Sequence, residues 1–317
     1  MITNKSKVAV CSRSFANNPV LRAELSERYA HVRFNETGAV LHGQVLVDFL
    51  LGHEKAIISL ERIDDSLLTQ LPELRVISKY GVGLDSVDLA AMRKHGKRLG
   101  WTGGVNRRSV SELVIAFAIS LLRRIPESNA DIRAGKWKPL VGRQLTGRTV
   151  GIVGCGHIGK DLVHLLKPYS CTVLVNDIRD FGAFYAEHGL QPIAFDELLA
   201  NADVVTLHVP LDYSTAGMLD SRRLGLMKRE AVLINTARGG LVDEIALKSM
   251  LIDGRIAAAG FDVFADEPPS DVELLTLPNF LATPHIGGSA YEAVLAMGRA
   301  AILGLDNNSI PAGDLGY

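Results

Sequence analysis

The stretch from Arg148 to Asp177 restricts the fold more than any other part of this chain. A β-branched run over residues 149–153 leads into Gly154-Cys155-Gly156-His157-Ile158-Gly159. A helical pattern follows over 158–166, and a second β-branched run over 172–176 ends on Asp177. The pattern G-x-G-x-x-G alone arises by chance in a chain with 30 glycines, but a strand before it and a helix and strand after it complete a β-α-β unit. Each glycine then has its own physical reason: Gly154 permits the tight turn, Gly156 lets the backbone approach a pyrophosphate, and Gly159 lets the helix pack closely on the strand. The N-terminus of that helix suits phosphate. Asp177 lies 18 residues beyond Gly159, near the spacing at which a carboxylate accepts hydrogen bonds from the adenosine ribose and repels a 2′-phosphate. NAD is therefore the expected cofactor, with Arg179, two positions further on, a cation that could tolerate NADP.

The rest of the chain continues the alternation of β-branched runs and helical patterns that a helix-covered parallel sheet requires. Strands are expected at residues 8–12, 55–60, 75–80 and about 98–102, with helices near 19–29, 64–71 and 87–96. A second series starts with the β-α-β unit and continues through 203–210, 231–238, 256–264 and 279–284, six strands in all. Between the two series a long helix should run from Ser109 to Arg124, with Ser109 as N-cap and Glu112 as its capping-box partner. The closing helical stretch, from Ser289 to about Asp306, follows the last strand of the second series and should return to the first. The fold class is α/β, with two Rossmann-like or flavodoxin-like parallel-sheet domains. Residues 1–105 plus 289–317 should form a discontinuous catalytic domain that takes the substrate, and 106–288 the cofactor-binding domain.

Charge narrows the choice of partners. The 34 Lys and Arg nearly balance the 35 Asp and Glu, for a formal charge of -1, so there is no global basic field to hold nucleic acid or an anionic membrane. The most apolar run, Leu113 to Leu122, is closed by Glu112 and Arg123-Arg124. It falls well short of the roughly 20 residues of a membrane span and reads as a buried helix. Cys11, Cys155 and Cys171 are too few and too irregularly spaced for a disulfide framework or a zinc site. The N-terminus passes from polar residues straight into a strand-like segment without the regions of a signal peptide. A cytoplasmic protein acting on a small molecule, without a metal, is expected.

An NAD-dependent oxidation of an alcohol that carries an anionic group needs a base for the hydroxyl proton, a cation for the anion and a group that holds the base in a useful protonation state. Arg238 ends an expected strand in Asn-Thr-Ala-Arg-Gly-Gly, His285 stands in Thr-Pro-His-Ile-Gly-Gly, and Glu267 follows the strand at 256–264. Singly, each has a bland reading as a surface arginine, a loop glutamate or a satisfied histidine. All three lie at the carboxyl ends of strands, where ligands bind in open α/β sheets.

Together these motifs resemble the D-isomer-specific 2-hydroxyacid dehydrogenase family, and within it the phosphoglycerate dehydrogenase-related members. The resemblance covers nearly the whole chain. It rests on Gly-Val-Gly-Leu-Asp-Ser-Val-Asp at 81–88, Ser-Val-Ser-Glu-Leu at 109–113, the fingerprint at 154–159, Leu-His-Val-Pro at 207–210, Asn-Thr-Ala-Arg-Gly-Gly at 235–240, Phe-Asp-Val-Phe at 261–264, Glu267-Pro268 and Thr-Pro-His-Ile-Gly-Gly at 283–288. It implies hydride transfer between NAD and a small D-2-hydroxy or 2-keto acid, D-3-phosphoglycerate among the candidates. His285 would be the acid/base, Glu267 its partner and Arg238 the residue gripping carboxylate and carbonyl. The backbone N–H groups of Val82 and Gly83 would bind the carboxylate. His208, Val209, Pro210, Thr215, Thr236, Ala237, Asp262, Gly287 and Gly288 would surround the cofactor. The resemblance also implies a homodimer built on the nucleotide domain.

Two departures stand out. Thr102-Gly103-Gly104 replaces the family's frequent Thr-Pro-Gly, and the chain stops before the C-terminal regulatory domain of many phosphoglycerate dehydrogenases, so serine feedback through such a domain is not expected. Lys79, at the end of the strand at 75–80, either meets a second anionic group of the substrate, such as a phosphate, or is a surface lysine. Alternatives to the dehydrogenase are an NADH-binding corepressor-like sensor and, within the family, a hydroxypyruvate or glyoxylate reductase. A formate-type dehydrogenase would carry a polar non-carboxylate residue where Glu267 stands.

Overall fold

The β-branched runs pair side by side as parallel strands in two separate sheets. The computed structural model describes residues 4–312 and divides the chain into two units, one running to Asn106 and resuming at Ser289, the other Arg107–Gly288.

The first unit contains, in order, β1 (Asn4–Val10), α1 (Arg13–Ala16), α2 (Pro19–Arg28), β2 (Tyr29–Phe34), α3 (Gly43–Leu50), β3 (Lys55–Ile58), α4 (Asp65–Thr69), β4 (Val76–Lys79), α5 (Leu89–Lys94) and β5 (Arg98–Gly100). Its sheet has five strands in the order β2-β1-β3-β4-β5, one more than expected. The expected helix at 19–29 stops at Arg28, and Tyr29 opens β2 instead. Because β2 is an edge strand paired only to β1, just Tyr29 of its six residues is buried. His31 and Arg33 thus face outward, and the strand carries no apolar run to betray it.

The second unit contains α6 (Arg107–Leu122), α7 (Ile125–Arg133), β6 (Thr149–Val153), α8 (His157–Leu166), β7 (Thr172–Asn176), α9 (Gly182–His188), α10 (Phe195–Asn201), β8 (Val204–Leu207), α11 (Ser221–Leu224), β9 (Val232–Asn235), α12 (Glu244–Ile252), β10 (Ala258–Phe261), α13 (Val272–Thr276) and β11 (Phe280–Ala282). The sheet order is β11-β10-β9-β8-β6-β7, all parallel. Successive side chains point to opposite faces: Val205 and Leu233 pack with the helices α10 to α13, Val204, Val232 and Ile234 with α6, α8 and α9. Both faces are covered, which is why these strands read as unbroken apolar runs.

The helix expected from Ser109 to Arg124 starts two residues earlier and ends two earlier. Ser109 is therefore inside the helix and not its N-cap, and its hydroxyl donates to the Gly287 carbonyl at 2.6 Å. Arg124 takes a left-handed conformation, φ 55°, and opens the separate helix α7.

The closing helix α14 (Tyr291–Gly304) returns to the first unit, where Met297, Ala301 and Ile302 share one core with Val8, Val10, Leu21 and Ile57. It lies close against β5. A Cβ on Gly100 would stand 2.2 Å from the Gly304 carbonyl oxygen, so only glycine allows that approach. The Ser78 hydroxyl of β4 donates to the Ala301 carbonyl at 2.7 Å. No helix of the described residues is long and apolar enough to cross a membrane.

Candidate active site

The sheet order of the second unit arranges the candidate residues in a line along its carboxyl edge. His285 follows β11, Glu267 follows β10 and Arg238 follows β9, three adjacent strands. His208 follows β8, the glycine loop follows β6, and Asp177 follows β7. The acid-base candidates thus occupy one half of the edge, and His208, the glycine loop and Asp177 the other. The chain reverses its direction of travel across the sheet at β6, which is where open α/β sheets take ligands.

At the nucleotide half, Gly154 has φ +96°, and a Cβ there would meet the His208 carbonyl oxygen at 2.5 Å. A Cβ on Gly159 would lie 2.3 Å from the Gly154 oxygen, whereas one on Gly156 would meet nothing within 4 Å. The first two glycines are demanded by the protein's own packing, and the third leaves an open backbone surface at the start of α8. Gly156 is the N-cap of that helix and brings no side-chain acceptor, so the helix dipole faces the open surface. His157 and Ile158 begin the helix, and burial followed by Arg107, Lys160 and Arg179 lowers the His157 pKa. Asp177 is fixed by two backbone donors, Cys155 N at 2.6 Å and Arg179 N at 2.8 Å. The Lys160 ammonium sits 3.8 Å from the centre of the Phe181 ring.

In the middle of the edge, Thr206 and His208 are two residues apart on β8 and its extension, so they share a face. Thr206 Oγ1 lies 2.9 Å from His208 Nε2. Burial pushes the His208 imidazole down to about 3, and its Nδ1 has no hydrogen-bond partner although it is out of solvent. The Thr236 hydroxyl is buried without a partner too. Polar atoms of this kind are costly unless a ligand completes them. Together with the open cradle at Gly156, they fit a bound dinucleotide.

Asp262, 1% exposed, organises the loop that carries the histidine. Its carboxylate accepts from Ile286 N and Gly287 N, both at 2.7 Å, and from the Thr283 hydroxyl. Its carbonyl accepts from His285 N at 2.9 Å. This grip holds His285 at φ 54°, a conformation an L-residue adopts only when its surroundings impose it. His285 Nδ1 then lies 2.9 Å from Glu267 Oε2, while Glu267 Oε1 accepts from Phe264 N at 3.2 Å. With Nδ1 given to the carboxylate, Nε2 carries the lone pair and points away from it. The His285 side chain is 53% exposed, open to a reactant.

Arg238 leaves β9 on a turn braced by Asn235, whose amide donates to the Arg238 carbonyl at 2.8 Å and accepts from Ala237 N at 3.1 Å. A Cβ on Gly239 would fall 1.8 Å from the Phe264 carbonyl oxygen. The turn bearing Arg238 therefore packs directly on the loop leading to Glu267. Val209, Pro210, Thr215 and Gly288 belong to the loops of this edge, and the Thr215 hydroxyl donates to the Pro210 carbonyl at 2.7 Å.

Lys79, Val82 and Gly83 belong to the first unit, at and beyond the carboxyl end of β4. The Val82 carbonyl accepts from Trp101 Nε1 at 2.9 Å. Lys79 is 7% exposed, which rules out the surface reading. Sequence reasoning placed Ser109 as a cap and missed its bond to the Gly287 carbonyl, the Asn235 brace and the Asp262 grip. Thr206 was open to discovery, because a two-residue spacing to His208 on one strand places both on one face.

Residues 115–287 match the family described as D-isomer specific 2-hydroxyacid dehydrogenase, NAD binding domain. A glyoxylate reductase of Thermococcus litoralis is 38% identical over 242 residues, 74% of this chain and 73% of that protein. A D-3-phosphoglycerate dehydrogenase of Mycobacterium leprae is 37% identical over 233 residues, 73% of this chain but only 44% of that protein's length. The crystal structure of a D-lactate dehydrogenase from Aquifex aeolicus, complexed with NAD and lactic acid, superposes with a TM-score of 0.81 at 25% identity, covering 93% of each chain.

Proposed function

The chain belongs to the D-isomer specific 2-hydroxyacid dehydrogenase family, and from that premise we propose that it catalyses hydride transfer between NAD and a small D-2-hydroxy acid or its 2-keto acid. The observation that carries this reading is the 2.9 Å contact between His285 Nδ1 and Glu267 Oε2, set beside the strand β9 that Arg238 follows. Bound NAD supplies the hydride acceptor, or the donor in reduction. His285 Nε2 accepts the hydroxyl proton in oxidation and returns it in reduction, and the Glu267 carboxylate stabilises the imidazolium between those events. Arg238 grips the carboxylate and polarises the carbonyl, a pairing suited to its planar guanidinium. The N–H groups of Val82 and Gly83 hold the substrate carboxylate.

The dinucleotide is assigned to Gly154, Gly156, His157, Ile158 and Gly159 at its phosphates and Asp177 at the adenosine ribose. His208, Val209, Pro210, Thr215, Thr236, Ala237, Asp262, Gly287 and Gly288 line the rest of its site. The test is NADH oxidation by the purified protein over glyoxylate, hydroxypyruvate, phosphohydroxypyruvate and longer keto acids. Sustained turnover of at least one is expected. NADH binding without turnover of any would turn the reading into that of a sensor.

We also infer a cytoplasmic homodimer joined through the second unit. In support, α7 has no buried residue, while Trp137 and Val141 beyond it are 89% and 88% exposed. The three cysteines are all free thiols.

A further inference from the structure

The loop that leaves β4 is closed by its own first side chain. Lys79 ends the strand, its stem passes under Gly81, where a Cβ would lie 3.8 Å from Lys79 Cε, and its ammonium donates to the Ser59 carbonyl and to the Ser86 hydroxyl at 3.4 Å. Ser86 is at the far end of the same loop, so the lysine spans residues 81–85 from one side to the other. The Ser86 hydroxyl also donates to the Ser59 carbonyl at 3.5 Å. On the other side of Ser59, its N–H donates to Glu61 Oε2 at 2.7 Å, and Glu61 is 1% exposed. Both backbone groups of one residue at the end of β3 are therefore held by buried, oppositely charged side chains.

A lysine buried to this degree is costly unless its donors are used inside the protein. Here they are directed at a neighbouring loop, and the stem runs beneath the loop's first glycine. The backbone ladder supports the same join: Ile63 N donates to the Ser86 carbonyl and Asp88 N to the Ile63 carbonyl, both at 2.8 Å. Trp101 Nε1 donates to the Val82 carbonyl in the same loop. The loop is thus held at Val82 and again at Ser86.

We propose that Lys79 is a positioning residue that locks the 81–86 loop so that the Val82 and Gly83 N–H groups keep the orientation in which they hold the substrate carboxylate. It acts on every 2-keto acid alike and does not contact a second anionic group. This rests on the assignment of the carboxylate to Val82 and Gly83 made above.

The experiment compares Lys79→Met, Lys79→Arg and Ser86→Ala with the unaltered protein, using glyoxylate and phosphohydroxypyruvate as substrates and amide hydrogen exchange over residues 81–86 as a second readout. Lys79→Met should raise KM about tenfold for both substrates, equivalent to about 1.4 kcal/mol, with kcat and the Kd for NADH within about twofold and with faster exchange of the loop. Lys79→Arg should recover most of the loss. Ser86→Ala should move KM and exchange in the same direction by a smaller factor, and it keeps the test readable if Lys79→Met does not fold. A KM rise confined to phosphohydroxypyruvate overturns the proposal, because the ammonium then touches the substrate. Faster exchange with unchanged KM overturns it together with the carboxylate assignment beneath it. Unchanged exchange overturns it alone and leaves that assignment standing.

Discussion

His285 has a backbone conformation that no local preference of histidine explains, and the Asp262 carboxylate at the end of the neighbouring strand imposes it. The imidazole is thereby placed on Glu267 before any substrate arrives. His285→Ala should lower kcat by about 10²–10⁴, the usual loss for a general acid/base, while leaving the Kd for NADH unchanged. Stopped-flow turnover and fluorescence titration measure the two quantities, and near-normal turnover would refute the assignment. Asp177 is equally pre-set, since Cys155 N and Arg179 N hold both of its oxygens. Removing it as Asp177→Ala takes away the ribose acceptor and the repulsion of a 2′-phosphate, leaving Lys160 and Arg179 as nearby cations. The ratio of kcat/KM for NAD over NADP should fall by about tenfold or more, in keeping with a lost charge-assisted hydrogen bond. An unchanged ratio would mean that Arg179 governs the choice.

Among the elements, α14 shows how a segment distant in sequence completes a core. Without it, Val8, Val10 and Ile57 would lose one of the helices that cover their face of the first sheet. Its C-terminal end is tied down by Asp306, which accepts from the Tyr29 hydroxyl at 2.6 Å, Lys55 Nζ at 2.8 Å and Arg28 Nε at 2.9 Å. Burial raises the Asp306 carboxyl, and the hydrogen bonds from Lys55, Tyr29 and Arg28 outweigh it and hold the group below its ordinary value. A carboxyl lowered in the folded state stabilises the protein above its unfolded pKa, about 3.9, and that contribution is lost as pH falls through the folded value. Asp306→Asn should therefore cost about 1–2 kcal/mol at pH 7, a figure kept low because the side chain is partly solvated. Urea unfolding should show the gap between variant and wild type narrowing below pH 4. A gap that persists there would assign the loss to packing. The edge strand β2 and the short helix α7 escaped the sequence for a related reason, because neither is buried enough to leave an apolar pattern.

For the molecule as a whole, α7 and the segment after it bear on the proposed homodimer. A nine-residue helix with no buried side chain is marginal in water by itself, and Ile125, Ile132, Trp137 and Val141 are all exposed on it or just beyond it. A cleft of about 590 Å³ lined by Leu121, Leu122, Val141, Leu251, Ile252 and Leu277 lies in the same unit, rimmed by Arg124, Glu127, Arg143 and Glu230. Arg124 pairs with Glu127 and Arg143 with Glu230 within the chain, so the surroundings of the cleft carry no excess charge to repel a copy of the same surface in a two-fold contact. Light scattering should give twice the 34.3 kDa of one chain, and Trp137→Ser should shift the protein toward monomer. A monomeric wild type would exclude the homodimer.

The sequence by itself determined the two parallel sheets, the β-α-β unit at 149–177 and the return of the last helix. Those features depend on local patterns of apolar period, on glycine spacing and on chain order, all of which are written along the chain. The positions of Arg238, Glu267 and His285 at strand ends were legible for the same reason. Only the tertiary structure decided that their strands β9, β10 and β11 are neighbours, that Asp262 holds the histidine loop, and that Lys79 turns back onto Ser59 and Ser86. Each of these depends on side chains that meet across the fold, and hydrogen bonds between residues far apart in sequence leave no periodic trace in it.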